Sequence, residues 1–370
     1  MGVMNELIDA AGVETLARIL AETAPGVAWE WTAGSAPLLD GLSLRARTDL
    51  LATALAADVR ASPSSGYPTA AAAFRAALDI PEFTGWVLWP VSEAAVTLAL
   101  ESGTVADFDD CLGLLAALTP RLTGEFAVRR LLGRDPDRAL RTVLDWSASP
   151  DEHVRRLASE GTRPYLPWAV RVPALTQQPH ATVPILEALY RDPSEYVRRS
   201  VANHLNDLAR HAPGTVVDTA RRWLAEPDAN TGRVVRHGLR TLIKKGDPEA
   251  LALLGFTPAQ VAVSGPHLDR DVLTLPGELA FTFEVSNTGT EDVRLAVDYL
   301  VHYRKADGRQ SAKVFKISTL ALAPGESRRL SKRHAFRQMT TRVHYPGVHA
   351  LELQINGAAH GRKEFLLELP

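Results

Sequence analysis

Three stretches of this chain resemble one another: "SPDEHVRRLASEG", "DPSEYVRRSVANHL" and "NTGRVVRHGLRTL". Aligning Val154, Val197 and Val235 gives spacings of 43 and 38 residues. A unit of that length is about one helix pair, and a single pair cannot bury its own apolar face. Successive pairs must stack, and stacking makes a curved α-solenoid whose inner helices line a concave surface. The rest of the chain up to about residue 255 agrees. Apolar residues recur at helical spacing in "ELIDAAGVETLARIL", "LRARTDLLATALAADV", "DFDDCLGLLAALTPRL" and "TVVDTARRWLAE".

The second repeat, extended to "DPSEYVRRSVANHLNDLAR", reads as an inner helix. Asp192 is placed as N-cap, Pro193 at the first helical position and Glu195 at the third. Val197, Val201, Leu205 and Leu208 form a core stripe. Stepping 100° per residue sets Arg199, Asn203, Asn206 and Arg210 on the opposite line, with Asp207 at its edge. A merely solvated face would more usually carry Glu and Lys.

After "GFTPAQVAVSGPHLDRD" the period changes from helical to alternating. "ELAFTFEVSNTGTEDVRLAVDYLVHYR" alternates, breaks at Asn287-Thr288-Gly289 and alternates again, as two strands around a turn would. About 100 residues of short strands imply a β-sandwich of immunoglobulin-like architecture. The expected fold is therefore an α-solenoid of HEAT-like helical repeats over residues 1–258, followed by an all-β immunoglobulin-like sandwich over 265–370.

Charge is divided along the chain. Residues 1–120 hold 5 Lys/Arg against 15 Asp/Glu, 121–260 hold 21 against 16, and 300–345 hold 11 against 2. The formal total of −2 conceals a polyanion-seeking second and third segment. A single cysteine, Cys111, excludes an internal disulfide framework and is read as a small core residue. No apolar run is long enough to span a membrane, so a cytoplasmic, nucleoid-associated protein is expected. The 11 histidines form no H-E-x-x-H or Cys/His cluster, and neither a phosphate loop nor G-x-S-x-G is present. His204 and His237 are read as helix-surface or partly buried residues, and neither metal nor cofactor is expected.

What remains is tryptophan, carboxylate and arginine. All seven Trp lie in the helical part. Trp168 stands apart in "RPYLPW", where Pro164 and Pro167 interrupt helix and can hold a ring at the mouth of a helix. "FTGWVLWPVSE", "LTGEFAVRRLL", "RPYLPWA" and "DPSEYVRRSVANHLNDL", in that order, resemble the bacterial DNA alkylation repair glycosylases of the AlkC type. These are relatives of AlkD in the HEAT-like glycosylase superfamily. The resemblance spans roughly residues 40–255, and some members also carry a C-terminal immunoglobulin-like domain. It implies hydrolysis of the N-glycosidic bond of cationic alkylated bases in DNA, such as 3-methyladenine and 3-methylcytosine, without drawing the lesion into a pocket. Carried over by position, it implies Glu125, Trp168 and Asp207 as the catalytic constellation. Ordinary pairings remain open at this point: Glu125 with Arg129 at i+4, Asp207 with Arg210 at i+3.

Candidate DNA contacts are Trp86, Arg163, Arg199, Asn203, Asn206, Arg236, Arg240, Lys244 and Lys245 in the helical part, with Arg304 and Lys305 in the β part. Arg240, Lys244 and Lys245 are read as extending the basic surface of the third repeat. Arg328, Arg329, Lys332, Arg333 and Arg337 add to the β-part patch, and edge protection is their alternative role. Helical phase sets Arg198 near the apolar arc and suggests a buried structural pairing for it; Trp89 is read as packing. The expected partner is double-stranded DNA containing alkylated bases, the expected state a monomer with no obligate protein partner. Two readings compete: a HEAT-repeat protein that binds damaged DNA without catalysis, and a protein-binding scaffold.

Overall fold

Aspartates start several of the helices. Asp9, Asp135 and Asp151 each accept a backbone N–H from the first turn that follows, capping donors the helix cannot use itself. The computed structural model describes residues 2–338 and 343–369. The first helices are α1 (Gly2–Asn5), α2 (Ala10–Thr23), α3 (Glu30–Gly34), α4 (Leu44–Ala61), α5 (Tyr67–Ala77), α6 (Leu88–Ser102) and α7 (Val105–Leu118). They continue as α8 (Val128–Arg134), α9 (Pro136–Trp146), α10 (Glu152–Gly161), α11 (Pro173–Gln177) and α12 (Val183–Leu189). The series ends with α13 (Glu195–Leu208), α14 (Pro213–Ala225), α15 (Thr231–Gly238), α16 (Arg240–Lys245) and α17 (Pro248–Ala252).

The three related segments are α10, α13 and α15, and α13 packs against both of the others. Val154, Val197 and Val235 are all buried, as the solenoid reading requires. Glycines allow close approach at two contacts, α10 on α8 and α15 on α13. A Cβ on Gly161 would sit 2.9 Å from Val128 Cγ1, and one on Gly238 would sit 2.7 Å from Leu205 Cδ2. The α13 start differs from expectation by two residues. Ser194 is the N-cap, because the Asp192 carboxylate is engaged by the Ser194 N–H at 2.8 Å and by Arg155 at 2.6 and 3.1 Å. Cys111 is fully buried and its thiol is pushed up to about 12 by that burial.

The chain divides into two compact units between Gly238 and Leu239. The all-β part starts at Val261, so α16 and α17 share a unit with the strands. The strands are β1 (Val261–Leu268), β2 (Val272–Thr274), β3 (Gly277–Asn287), β4 (Val293–Arg304), β5 (Gln310–Leu322), β6 (Ser327–Phe336), β7 (Gly347–Ile355) and β8 (Ala358–Glu368). One sheet runs β1-β3-β6 and the other β2-β8-β7-β4-β5, antiparallel except for the β2–β8 pair. Alternate residues of β4, from Leu295 through Val297, Tyr299 and Val301 to Tyr303, face a core shared with Phe281, Phe283, Leu351 and Leu353.

The break at Asn287 is real, but the strands on either side do not pair. β3 belongs to one sheet and β4 to the other. Asn287 secures the crossing, with its Nδ2 donating to Glu291 O at 2.8 Å and to Leu322 O at 3.1 Å. A hairpin turn at Asp307-Gly308 joins β4 to β5, with Gly308 at φ +81. No helix among the described residues is long and apolar enough to cross a membrane.

Candidate active site

Glu125 lies on the connection between α7 and α8, followed by Phe126, whose ring stacks on Trp89 at 4.5 Å. That anchoring turns the Glu125 carboxylate inward, where it is 8% exposed. Thr123 Oγ1 donates to its Oε2 at 3.1 Å, and Arg156 Nη1 donates to the same oxygen. Arg156 also lies 3.5 Å from Glu160, one turn further along α10. Glu160 in turn accepts from Arg163 Nη1 and from Ser200 Oγ, both at 2.6 Å. Arg163 Nε then donates to Asp207 Oδ2 at 3.0 Å.

These contacts form one buried chain of alternating sign: Glu125, Arg156, Glu160, Arg163, Asp207. Three carboxylates face two guanidiniums along the chain, and the buried Arg129 guanidinium, which feels both Asp207 and Glu125, balances the third carboxylate. Burial raises the Glu125 carboxyl above its ordinary range; Arg156 opposes the shift and Glu160 adds to it. Desolvation works against the Arg163 charge, yet Glu160 and Asp207 outweigh it and hold that guanidinium above its usual value.

The chain opens on a cleft of about 290 Å³ walled by Trp86, Leu122, Phe126, Leu166, Pro167 and Trp168, with Glu125, Glu160 and Arg163 at its polar side. Trp168 is 69% exposed and sits at φ +63, a conformation rare for a bulky residue. One residue holds the loop that presents it. Arg129, 1% exposed, donates from Nε to Val170 O at 2.7 Å. Its Nη1 donates to Gly161 O at 2.9 Å and Arg163 O at 2.8 Å. Burial lowers the Arg129 guanidinium to about 10, with Arg171 and Arg163 pushing the same way. Neither local pairing left open by the sequence forms: Arg129 staples the loop, and Asp207 pairs with Arg163.

Glu125, Trp168, Trp86 and Arg163 therefore meet at one cleft, and Asp207 joins them through Arg163. Arg163 itself needs a correction. It is buried between two carboxylates and is not presented to a phosphate. Asn206 is buried too, so the polar line of α13 is open only at Arg199, Asn203 and Arg210. Arg199 is exposed, meets Glu195 at 3.3 Å and lines a cleft of about 190 Å³ with Arg233 and His237. Arg198 is buried and donates to Asp192 O at 2.6 Å and Pro193 O at 2.8 Å, a structural role.

Arg236 is exposed on α15. That helix ends at Gly238, so Arg240, Lys244 and Lys245 do not extend it; they belong to α16 in the other unit. Lys305 is exposed at the β4–β5 turn, whereas Arg304 is half-buried. His204, read as a surface or partly buried residue, is fully buried, with Nδ1 2.9 Å from Ser159 O and Nε2 3.0 Å from Thr182 Oγ1.

One solved structure matches the chain over nearly its full length. The structure of Pseudomonas fluorescens alkylpurine DNA glycosylase AlkC bound to DNA containing an abasic site analog superposes with a TM-score of 0.80 at 31% identity, covering 99% of both chains. The uncharacterized protein YhaZ of Bacillus subtilis (strain 168) is 36% identical over 267 residues, 72% of this chain and 74% of that protein. The family described as "Uncharacterised protein YhaZ, C-terminal Ig-like domain" matches residues 262–369. The chain belongs to the AlkC-type family, in the form with a C-terminal immunoglobulin-like domain.

In this AlkC-type chain, sequence reasoning missed Arg129, Arg156 and Glu160. Glu160 had a signal, since it stands four residues after Arg156 and three before Arg163 on one helical run. Arg129 had none. Its partners are backbone carbonyls 32 to 41 residues away, and no local pattern marks a carbonyl.

Proposed function

We propose that this chain is a DNA glycosylase that hydrolyses the N-glycosidic bond of cationic alkylated bases, of the 3-methyladenine and 3-methylcytosine kind, in double-stranded DNA. One observation carries the reading: a buried network of three carboxylates opens beside an exposed tryptophan at one cleft.

The chemistry requires little else. An N3-alkylated base is already positive, so when the C1′–N bond breaks, the bonding pair neutralises the base and it departs without prior protonation. The positive charge passes to the sugar as an oxocarbenium-like cation. A fixed carboxylate and an aromatic face both favour that cation. Water then bonds to C1′ through its oxygen and yields a proton to a carboxylate, leaving an abasic sugar. Arg163 meets Asp207 only at Oδ2, which fixes its orientation while Oδ1 accepts from water. Trp168 stands out in solvent on a braced loop, a position suited to the sugar of a stacked lesion rather than to a base drawn into a closed pocket. A neutral base lacks the built-in charge and leaves too slowly, so selectivity for cationic lesions follows.

The test is release of free bases from methylated duplex DNA, measured by chromatography. Asp207→Asn should lower the single-turnover rate by about 10²–10³, the usual loss of a fixed electrostatic group. Trp168→Ala removes a cation–π contact of about 0.5–2 kcal/mol, a roughly 2- to 30-fold loss. Salt-dependent duplex binding without release would leave a binding protein and sink the catalytic reading.

A further inference from the structure

Beside the Trp168 loop lies a second cluster that the reaction as described does not use. Tyr165, three residues before Trp168, carries two guanidiniums: Arg210 Cζ lies 4.2 Å and Arg171 Cζ 4.5 Å from its ring centroid. The ring is fixed in turn by His211, stacked at 5.6 Å with an 8° interplanar angle and hydrogen-bonded through Nε2 to the Tyr165 hydroxyl. Arg171 is oriented further by donating to Pro164 O at 3.0 Å. Several other arginines of this unit meet carboxylates. Arg156 and Arg163 each meet two, and Arg199 and Arg233 share Glu195. Arg171 and Arg210 are held by an aromatic ring instead, and no carboxylate among the described residues pairs with either. Both are exposed. Both guanidiniums lie within 4.5 Å of one ring centroid, two like charges sharing a ring without a counter-ion, and a bound anion relieves their repulsion. Planar guanidiniums fork well onto phosphate oxygens.

We propose that Tyr165, Arg171 and Arg210 form a clamp for one phosphodiester of the DNA backbone next to the lesion. The clamp rests on the glycosylase reading for its ligand. Its position follows from the chain: Arg171 is three residues beyond Trp168, and Arg210 is three residues beyond Asp207 at the end of α13. Held there, the strand cannot slide past the two groups that act on the sugar.

The experiment is anisotropy of a labelled duplex across a salt series, on the full chain. Arg210→Ala is the cleanest variant, because among the described residues that side chain makes only the ring contact. Losing one phosphate contact should flatten the log–log salt slope by about 0.9, so the wild-type advantage shrinks about 3.5-fold between roughly 50 and 200 mM salt. Arg171→Ala should do the same. Tyr165→Leu leaves the charge unchanged, yet should weaken binding because the guanidiniums are no longer gathered. An unchanged slope in Arg210→Ala, or wild-type binding by Tyr165→Leu, overturns the clamp. Replacing chloride by inorganic phosphate at fixed ionic strength separates the other source of this chemistry. Binding of inorganic phosphate that vanishes in Arg210→Ala, while the duplex salt slope of that variant stays at the wild-type value, assigns the site to free phosphate and also overturns the proposal. Base release is scored in parallel. Release with clamp variants that bind like wild type sinks the clamp alone; weakened binding as expected, with no release from wild type, sinks the glycosylase reading alone.

Discussion

Replacing Arg163 by Met removes the cation between two buried carboxylates while keeping much of the side-chain volume. Glu160 retains Ser200 at 2.6 Å and Arg156 at 3.5 Å, so Asp207, 4% exposed, bears most of the loss. Breaking a buried pair on one side typically costs about 3–5 kcal/mol. Neutralisation sets an upper bound. A carboxyl with an unfolded pKa near 4 can take up a proton at pH 7 for about 4 kcal/mol, at roughly 1.4 kcal/mol per unit, and will do so before paying more. The expected loss at pH 7 is therefore about 3–4 kcal/mol. It should shrink as pH falls, because a folded-state pKa raised by unpairing favours the protonated form at low pH and penalises the ionised form at high pH.

The tryptophans make this measurable. All seven lie between residues 29 and 223, so urea unfolding followed by indole fluorescence reports the helical unit by itself. Adding Asp207→Asn to Arg163→Met should recover much of the deficit, a coupling that a double-mutant cycle reads directly. A loss below about 1 kcal/mol at pH 7, or one that does not change between about pH 5 and pH 8, refutes the account of a tightly coupled buried pair. The same variant also checks the correction made to Arg163. Its duplex-binding salt slope should match wild type, and a flattening of about 0.9 would return Arg163 to the phosphate contacts.

Two further outcomes follow from the buried titrating groups. Because burial raises the Glu125 carboxyl, excision should begin to fall on acidification above the ordinary glutamate range, and Glu125→Gln should remove that acid limb; a limb at the ordinary glutamate position contradicts the burial argument. His204 is lowered to about 3 by burial against an ordinary 6.5, so the unfolded chain binds a proton there that the folded chain refuses. Stability should be complete above pH 6.5 and decline by up to about 1.4 kcal/mol per unit as pH falls towards 3, with His204→Gln losing one proton's worth of that slope in urea titrations at several pH values.

How much of this was legible depends on the distance between interacting groups. The repeat survived in the sequence because Val154, Val197 and Val235 must each fill the same kind of slot between stacked helices. Helical phase also sorted Arg198 correctly from Arg199, since the apolar arc of a helix is a local property. It failed at Asn206, which a single-helix projection leaves on the polar line although it is buried. His204 falls on the apolar flank of the same projection, where Ser159 of α10 and Thr182 meet it, so its burial was locally legible and went unread. Alternation in "ELAFTFEVSNTGTEDVRLAVDYL" identified two strands for the same local reason. It could not say that the second strand joins the opposite sheet, because a crossing and a hairpin begin with the same turn residues.

The polar network poses the harder question of why a helical stack would bury five charges at all. Replacing such a set by well-packed apolar residues is often neutral or stabilising, so stability alone does not explain it. The arrangement of the set does. Carboxylates stand at both ends of the chain, Glu125 opening on the cleft and Asp207 meeting Arg163 at Oδ2. The guanidiniums between them fix where those carboxylates stand, so negative groups are already in place when something positive enters the cleft. Trp168 restricts what can enter, since an exposed indole on a loop stapled by Arg129 favours a flat or cationic group over a hydrated metal-like ion. An alkylated nucleoside becoming an oxocarbenium ion is a cation of that shape. On this account the network serves the transition state rather than the fold, so Glu125→Gln should slow the reaction by far more than it changes the stability of the helical unit.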